Sequence, residues 1–171
     1  MPYQAVNDRF TLSYKKENSM IDNKLYTIGY GNRTTSEVFA LLKKHGIEKL
    51  IDVRSIPDSR YRPMFNKSNI GILANSEGIE YIFKGQELGA KINETYPDYN
   101  IIRKCPEYME GLKYLISELD TGYNIAIMCC ELDHLKCHRY SLIGEDIFQL
   151  GYNVVHIGKQ GKLIKHMKRL M

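Results

Sequence analysis

The apolar positions of this chain follow two spacings, one typical of strands and one typical of helices. Short runs rich in β-branched and aromatic residues predict strands at residues 24–30, 49–54, 79–83, 123–129 and 152–157. Apolar residues at helical spacing predict helices at residues 66–78, 106–120, 137–150 and 162–170. Strand and helix alternate, so we expect a three-layer, Rossmann-like α/β domain with a mainly parallel sheet of about five strands.

Local signals predict where several elements begin and end. Thr34 and Glu37 form a capping-box pattern, which predicts a helix that starts after Thr34 and closes at Gly46. Pro106 suits the first turn of the helix that follows it. Residues 84–100 show no regular period and are expected to form a long irregular loop, a feature that is often functional in compact domains.

Length and composition are those of an ordinary globular protein. Residues 1–23 lack periodicity and are predicted to be a loosely ordered arm, followed by one α/β domain over residues 24–171. We find neither an apolar leader nor a run of about 18 apolar residues, so a cytoplasmic protein without a membrane partner is expected. The four cysteines are then expected to be reduced. The net charge of +4 permits a phosphate-bearing partner, a nucleotide or nucleic acid.

Residues suited to ligand binding or chemistry follow three of the predicted strands. They are Gly29, Gly31, Asn32 and Arg33 at the end of the first strand, Asp52 and Arg54 at the end of the second, and Cys129 and Glu131 at the end of the fourth, which is followed by Cys137, His138 and Arg139. In a parallel sheet the carboxyl ends of the strands meet at one edge, where ligands bind. The sequence therefore predicts that these residues share one site.

The two glycines and the acid–base pair each have a second interpretation. The glycines resemble part of a dinucleotide-binding turn, but Thr34 stands where its third glycine should be, so a tight turn or a close backbone approach is preferred. Asp52 and Arg54 lie on the same side of their strand and fit either substrate contact or a structural ion pair.

Two basic segments are further candidates for contact with phosphate. Arg60 and Arg62 flank Tyr61 in a proline-bounded loop, a pattern that suits phosphate contact and base stacking as well as a solvated loop. The lysines near the carboxyl terminus are expected mostly on the solvated face of the last helix.

The cysteines of the fourth strand and the following helix have three interpretations. A thiol at a helix N-terminus has a lowered pKa, so Cys137 is the candidate nucleophile or redox group, with Cys129 as its partner and Glu131 or His138 moving protons. Zinc, bound by cysteines together with His134 or His138, is the second interpretation. The third is plain packing of buried cysteines. A phosphatase loop fits poorly, because no arginine stands six positions after Cys129 or Cys130.

Three motifs together resemble the domain-of-unknown-function family 488. They are Thr27-Ile-Gly-Tyr-Gly-Asn-Arg33, Leu50-Ile-Asp-Val-Arg-Ser-Ile-Pro-Asp-Ser59-Arg60 and Cys129-Cys-Glu-(x)5-Cys-His-Arg139. In the family pattern a small residue is typical at position 130 and a proline is common at position 134, so the matching cysteines are Cys129 and Cys137. The resemblance implies the α/β fold and draws attention to the motif residues, including Ser59. It implies no reaction.

We therefore expect an enzyme that acts on a phosphate-bearing substrate, held by Arg33, Arg54, Arg60 and Arg139 and attacked by the thiol of Cys137. The alternative is a non-catalytic nucleic-acid-binding module, with or without a metal bound by cysteine and histidine. The sequence indicates neither a cofactor nor an oligomeric state.

Overall fold

The computed structural model of the protein describes residues 23–168. The arm expected over residues 1–23 thus lies, apart from Asn23, outside the described residues.

A single mixed sheet forms the centre of the domain. Its strands are β1 (Lys24–Gly29), β2 (Lys49–Asp52), β3 (Glu80–Phe83), β4 (Ile125–Cys129), β5 (Asn153–Ile157) and β6 (Leu163–Lys165). Their order is β3-β2-β4-β1-β5-β6, with β1 to β5 parallel and β6 antiparallel to β5. All five side chains of β4 are buried, as expected of a central parallel strand covered on both faces.

Helices cover both faces of this sheet. They are α1 (Thr35–Lys44), α2 (Lys67–Ser76), α3 (Gly85–Leu88), α4 (Tyr99–Ile102), α5 (Pro106–Asp120) and α6 (Glu145–Gln149). A π-helical segment, Arg139–Gly144, runs directly into α6. The α1 capping box is present as predicted: the Glu37 amide donates to Thr34 Oγ1 at 3.2 Å, and the Thr34 amide donates to Glu37 Oε2 at 2.6 Å.

Two hydrophobic clusters lie on opposite faces of the sheet. One joins α1 and α2 to residues of β1, β2 and β4 such as Ile28, Leu50 and Met128. The other joins α5 and the Arg139–Gly144 segment to the opposite sides of the same strands, through residues such as Ile51 and Ile127. This arrangement confirms the predicted three-layer α/β architecture.

Two sequence-based expectations were wrong. The final helix predicted over residues 162–170 is absent from residues 162–168, where β6 forms instead and gives the sheet a sixth strand. Gln160 and Gly161 have φ angles of 56° and 74°, which turn the chain back so that Leu163 pairs with Ile157. Residues 84–100 also contain more structure than a loop, since α3 lies there and α4 starts at Tyr99.

Candidate active site

The predicted meeting of three strand ends is found at the carboxyl edge of the sheet. β4 lies between β1 and β2, with Gly29 beside Cys129 and Asp52 beside Met128. Backbone hydrogen bonds continue beyond the strands: the Gly31 amide donates to the Cys130 carbonyl at 2.8 Å, and the Val53 amide donates to the Met128 carbonyl at 3.1 Å. The segments that follow β1, β2 and β4 are therefore held side by side.

Gly29 and Gly31 permit a close approach by the protein itself. A Cβ atom at Gly29 would lie 1.6 Å from the Glu131 carbonyl oxygen, and one at Gly31 would lie 2.5 Å from Leu132 Cβ. Gly31 also has a φ of 48°, a conformation that favours glycine. The space left by these two glycines is thus filled by the segment between β4 and Cys137.

Arg139 has the largest fully buried side chain among the described residues, and it holds this segment in place. Its Nη2 atom donates to the carbonyls of Glu131 at 2.8 Å and Leu132 at 3.1 Å, and Nη1 lies 3.3 Å from Thr27 Oγ1. Among the described residues it forms no ion pair with a carboxylate, and its buried Nε has no hydrogen-bond partner. A buried positive charge of this kind favours an anion nearby.

Cys137 lies close to that charge and in the same buried cluster as a second cysteine, Cys129. It directly precedes the helical run that starts at His138, and its carbonyl accepts from the amides of Tyr140 and Ser141 at 3.0 and 3.3 Å. Both cysteines are buried. The neighbouring Cys129 thiol, together with His138 and Arg139, outweighs burial and lowers the pKa of Cys137 well below its usual value. Burial raises the pKa of Cys129.

His138 is held in one orientation between Cys137 and β2. Its Nδ1 atom lies 3.6 Å from the Cys137 sulfur, and its Nε2 atom lies 3.1 Å from the Val53 carbonyl oxygen. Since a carbonyl only accepts, Nε2 carries a proton, and Nδ1 is left to exchange a proton with the sulfur. Cys137 and His138 thus form a thiol–imidazole pair.

Arg33 is buried and bonded to two carbonyls of neighbouring strand ends. Its Nη1 donates to the Gly29 carbonyl at 2.6 Å, and its Nη2 donates to the Gly158 carbonyl at 2.5 Å. Burial, followed by the charge of Arg139, lowers its pKa. Arg33 also lines a surface cavity of about 490 Å³, together with Asn32, Glu37, Ala40, Leu41, Leu132, Lys159, Gln160 and Gly161.

Asp52 and Arg54 form an internal ion pair, one of the two alternatives that their spacing allowed. The pair is bidentate, with Arg54 Nε and Nη2 donating to the two Asp52 oxygens at 2.9 and 2.7 Å. Arg54 Nη2 also donates to the Phe65 carbonyl at 2.7 Å, and the Tyr81 hydroxyl donates to Asp52 at 2.6 Å. Burial opposes the charge of Arg54, but Asp52 outweighs it and raises the pKa of Arg54. This network anchors the loop after β2.

The loop after β2 carries exposed residues. Its base is fixed by the Ser59 amide, which donates to Asn66 Oδ1 at 2.7 Å, and by Arg62, which donates to the Arg33 carbonyl. Arg60 is exposed, and Tyr61 is 94% exposed at the tip. Glu131, by contrast, contributes its backbone carbonyl to the site, while the residue itself is exposed.

Sequence reasoning missed a buried chain of imidazoles next to Arg139. Thr27 Oγ1 lies 2.7 Å from His156 Nδ1, His156 Nε2 lies 3.0 Å from His166 Nδ1, and His166 Nε2 lies 2.9 Å from Glu145 Oε2. His134 stacks on His156 with ring centroids 4.7 Å apart. The available signal was a histidine and a threonine at inward positions of two apolar strands, which pair with each other in the sheet.

Residues 23–168 contain neither a cluster of metal-binding side chains nor a membrane-spanning helix. No group of three or more histidine, cysteine, aspartate or glutamate side chains in this range is placed to hold a metal ion. No helix in this range is long and apolar enough to cross a membrane.

Comparison with known proteins identifies one family and no individual relative. No curated protein and no solved structure matches the chain significantly. A family model described as "Domain of unknown function DUF488" matches residues 34–144, from the α1 cap to the end of the π-helical segment. The match includes two of the three motifs, those over residues 50–60 and 129–139, and covers more than half of the chain. The chain therefore belongs to this family of unknown function, DUF488.

Proposed function

We propose that this protein is an enzyme in which the Cys137 thiolate attacks an electrophilic atom of a phosphate-bearing substrate. The observation that carries the proposal is the surroundings of the Cys137 sulfur. The imidazole of His138, 3.6 Å from the sulfur, the neighbouring Cys129 thiol and the buried guanidinium of Arg139 all favour the negative charge. Such an arrangement is typical of activated cysteine nucleophiles.

Charge balance supports the thiolate independently. Arg139 is fully buried without a carboxylate partner among the described residues, and an uncompensated buried charge is strongly destabilising. The Cys137 thiolate supplies a negative charge in its immediate neighbourhood. Thiolate and guanidinium thus stabilise each other.

The proposed reaction step uses His138 as the proton donor. The Cys137 sulfur forms a bond to the electrophilic atom, and the bond from that atom to the leaving group breaks, with the electron pair going to the leaving group. The leaving group takes the proton from Nδ1 of the His138 imidazolium, which the Val53 carbonyl holds in place through Nε2. Water then displaces the sulfur and returns a proton to His138, which restores the thiolate–imidazolium pair.

Exposed cations, rather than the buried arginines, would contact the substrate's phosphate. The guanidinium groups of Arg33, Arg54 and Arg139 bond to protein oxygens and contribute a positive field. Arg60 is exposed on the loop after β2, and Lys159 is exposed on the cavity that Arg33 lines. Cys137 itself is only 5% exposed. In the proposed complex the substrate's phosphate therefore contacts these exposed cations, and only the reacting atom of the substrate reaches the Cys137 sulfur.

A direct test is conversion of nucleoside phosphates and short single-stranded oligonucleotides, followed by ³¹P NMR. We expect one of these classes to be converted by the protein and left unchanged by Cys137→Ser. Cys105→Ser is the matched control, because Cys105 is also a free cysteine but precedes α5 and donates its thiol hydrogen to the Ile101 carbonyl at 3.5 Å. Absence of Cys137-dependent conversion in all of these classes would contradict the proposed substrate class.

A second candidate, a non-catalytic module for single-stranded nucleic acid, is favoured by the exposed Tyr61 beside Arg60. An exposed aromatic ring next to guanidinium groups suits base stacking and phosphate contact. For this function, oligonucleotide binding would persist in Cys137→Ser, weaken in Tyr61→Ala and fall steeply with salt. The two candidates are thus separated by the same Cys137 variant.

The cytoplasm is the compartment we propose for either function. All four cysteines are free, and a reducing compartment keeps the Cys137 thiolate available.

A further inference from the structure

The buried imidazole chain runs from β1 to α6 and includes the residue that directly follows β6. Thr27 Oγ1 lies 2.7 Å from His156 Nδ1. His166, the residue after β6, lies between His156 and Glu145, with contacts of 3.0 and 2.9 Å. We propose that this chain is a pH-sensitive switch that holds β6 and the turn before it against the domain near neutral pH and releases them in acid.

The hydrogen bonds of the chain all run in one direction, which is set at its buried end. Arg139 Nη1 lies 3.3 Å from Thr27 Oγ1, and a guanidinium only donates. Thr27 is fully buried, and His156 Nδ1 is the only other hydrogen-bond partner of its hydroxyl among residues 23–168. The Thr27 hydroxyl therefore donates its hydrogen to His156 Nδ1.

This direction determines where both imidazoles carry their protons. His156 is neutral, because burial, followed by the charges of its neighbours, lowers its pKa to about 2. Since His156 accepts at Nδ1, its own proton is on Nε2 and is donated to His166 Nδ1. His166 then donates from Nε2 to the Glu145 carboxylate. A second proton on His166 would place hydrogens on two nitrogens that face each other at 3.0 Å. His166 is therefore neutral in the closed chain, although it contacts a carboxylate.

Reversal of the chain is the one way to admit this proton without opening it. His166 would then donate to His156 Nε2, and His156 Nδ1 would donate to Thr27. The Thr27 hydroxyl hydrogen would be left without an acceptor among the described residues. A buried hydroxyl without an acceptor destabilises the folded state, so proton uptake favours the open form instead.

Charged and titratable groups surround the two imidazoles on several sides. The π-helical segment contributes Arg139 and Tyr140, the segment after β4 contributes His134, and α6 contributes Glu145. Among these groups Glu145 alone is an acid, and it already accepts the last hydrogen bond of the chain. Arg139 opposes a positive charge on His156. The closed chain therefore does not hold a second proton in its interior.

Release of His166 would free a short edge strand. β6 has three residues, Leu163–Lys165, and its one neighbour in the sheet is β5. The turn before it, Lys159–Gly161, lines the cavity of about 490 Å³. Opening therefore alters the side of the cavity that carries Lys159, an exposed cation of the proposed substrate site. This regulation of the cavity rests on the proposed function, whereas the switch itself does not.

The switch has a defined pH dependence. An imidazole released to solvent takes up a proton near pH ~6.5, whereas the closed chain keeps His166 neutral. Between pH 7.5 and pH 5.5 the equilibrium constant for release of β6 should therefore rise about tenfold.

Hydrogen exchange of the full-length protein, followed by mass spectrometry, measures this constant. After correction for intrinsic exchange, we expect the protection of residues 163–166 to fall about tenfold between these two pH values. His166→Gln should give a lower protection that no longer depends on pH. His45→Gln is the matched control, because His45 is also partly buried but lies at the end of α1, where it stacks on Tyr26. It should keep the wild-type pH dependence.

Nitrogen-15 NMR of the imidazoles tests the proton positions directly. At pH 7.5 we expect His156 and His166 to be neutral, each with its proton on Nε2. Three results would overturn the inference: a His166 imidazolium in the folded protein at pH 7.5, wild-type protection of residues 163–166 that does not change with pH, or an unchanged pH dependence in His166→Gln. If that variant does not fold, wild-type exchange and NMR decide.

None of these measurements uses a substrate, so the two proposals fail separately. Failure of the switch with Cys137-dependent conversion intact would leave the proposed function standing. Absence of conversion would leave the switch standing and remove only its link to the substrate.

Discussion

The Nε2 atom of His138 lies 3.1 Å from the backbone carbonyl oxygen of Val53. This contact fixes more than the direction of the ring, because a carbonyl cannot donate a hydrogen bond. Nε2 must be protonated, and Nδ1, 3.6 Å from the Cys137 sulfur, is the atom that gains or loses a proton. The backbone after β2 thus determines which nitrogen of His138 takes part in proton transfer, although His138 lies far along the chain, just before the π-helical segment.

His138→Gln should raise the pKa of Cys137 by about one unit or more, because the amide keeps a donor for Val53 but carries no positive charge. The measurement is the ultraviolet absorbance of the thiolate as a function of pH. In the wild type we expect a thiolate signal well below pH ~8.5, the ordinary cysteine value, and its loss in Cys137→Ser. An identical midpoint in the wild type and His138→Gln would show that the imidazole does not stabilise the thiolate.

Cys137→Ser should destabilise the protein by about 1–3 kcal/mol near pH 8, although the replacement is nearly isosteric, because it leaves the buried Arg139 without a neighbouring anion. The measurement is the free energy of unfolding in urea. In the background of Arg139→Met, the loss of unfolding free energy caused by Cys137→Ser should be smaller by about 1 kcal/mol or more. Cys105→Ser is the control and should cost the same in both backgrounds. Additive costs of Cys137→Ser and Arg139→Met would contradict the proposed charge balance.

The three strand ends could be predicted from the sequence because each rests on a local pattern. Apolar runs placed β1, β2 and β4, and alternation with helices required them to be parallel, which brings their carboxyl ends to one edge. The Thr34–Glu37 capping box is likewise local, and it was predicted correctly in both of its hydrogen bonds.

What the sequence could not supply is the partner of each polar side chain. Three arginines at one edge suggest an anion site, but only the fold reveals that Arg33 and Arg139 bond to carbonyls and that Arg54 pairs with Asp52. The error at β6 has a related cause. Lysines spaced three residues apart favour a helix, whereas the turn at Gln160 and the free edge of β5 decide the outcome.

Gly29→Ala should destabilise the protein by about 2–4 kcal/mol, because the new methyl group would lie 1.6 Å from the Glu131 carbonyl oxygen. Backbone must move to relieve this contact, and the segment that moves holds Arg139 through the Glu131 and Leu132 carbonyls. We therefore expect a lower free energy of unfolding together with a higher pKa of Cys137.

Gly71→Ala is the matched control for this substitution. Gly71 lies in α2, where the new methyl group would meet the Tyr81 ring at 3.3 Å, a contact that a side chain relieves more easily than backbone. Gly71→Ala should change the free energy of unfolding by no more than about 1 kcal/mol, since alanine is favoured over glycine in a helix. If both variants have the same stability, the close packing of β1 against the Glu131 segment is not required.

Acidification from pH 7 to pH 5 should destabilise the protein through the buried imidazole chain. Burial, with smaller contributions from His134, His166 and Arg139, lowers the pKa of His156 to about 2. The unfolded chain takes up a proton near pH ~6.5, and the folded chain does not until far lower pH. Stability is therefore lost as the pH falls below ~6.5, by about 2 kcal/mol at pH 5 for this residue alone.

His156→Gln should lower the stability at pH 7 but reduce the loss between pH 7 and pH 5 by about 2 kcal/mol, because one titrating group is removed. Thr27→Val provides the control, since it removes the hydrogen bond to His156 Nδ1 and leaves the histidine in place. It should lower stability at both pH values and keep the wild-type pH dependence. Urea unfolding at the two pH values measures all of these quantities. A wild-type pH dependence in His156→Gln would assign the acid sensitivity to other groups, first among them His134, whose pKa burial also lowers.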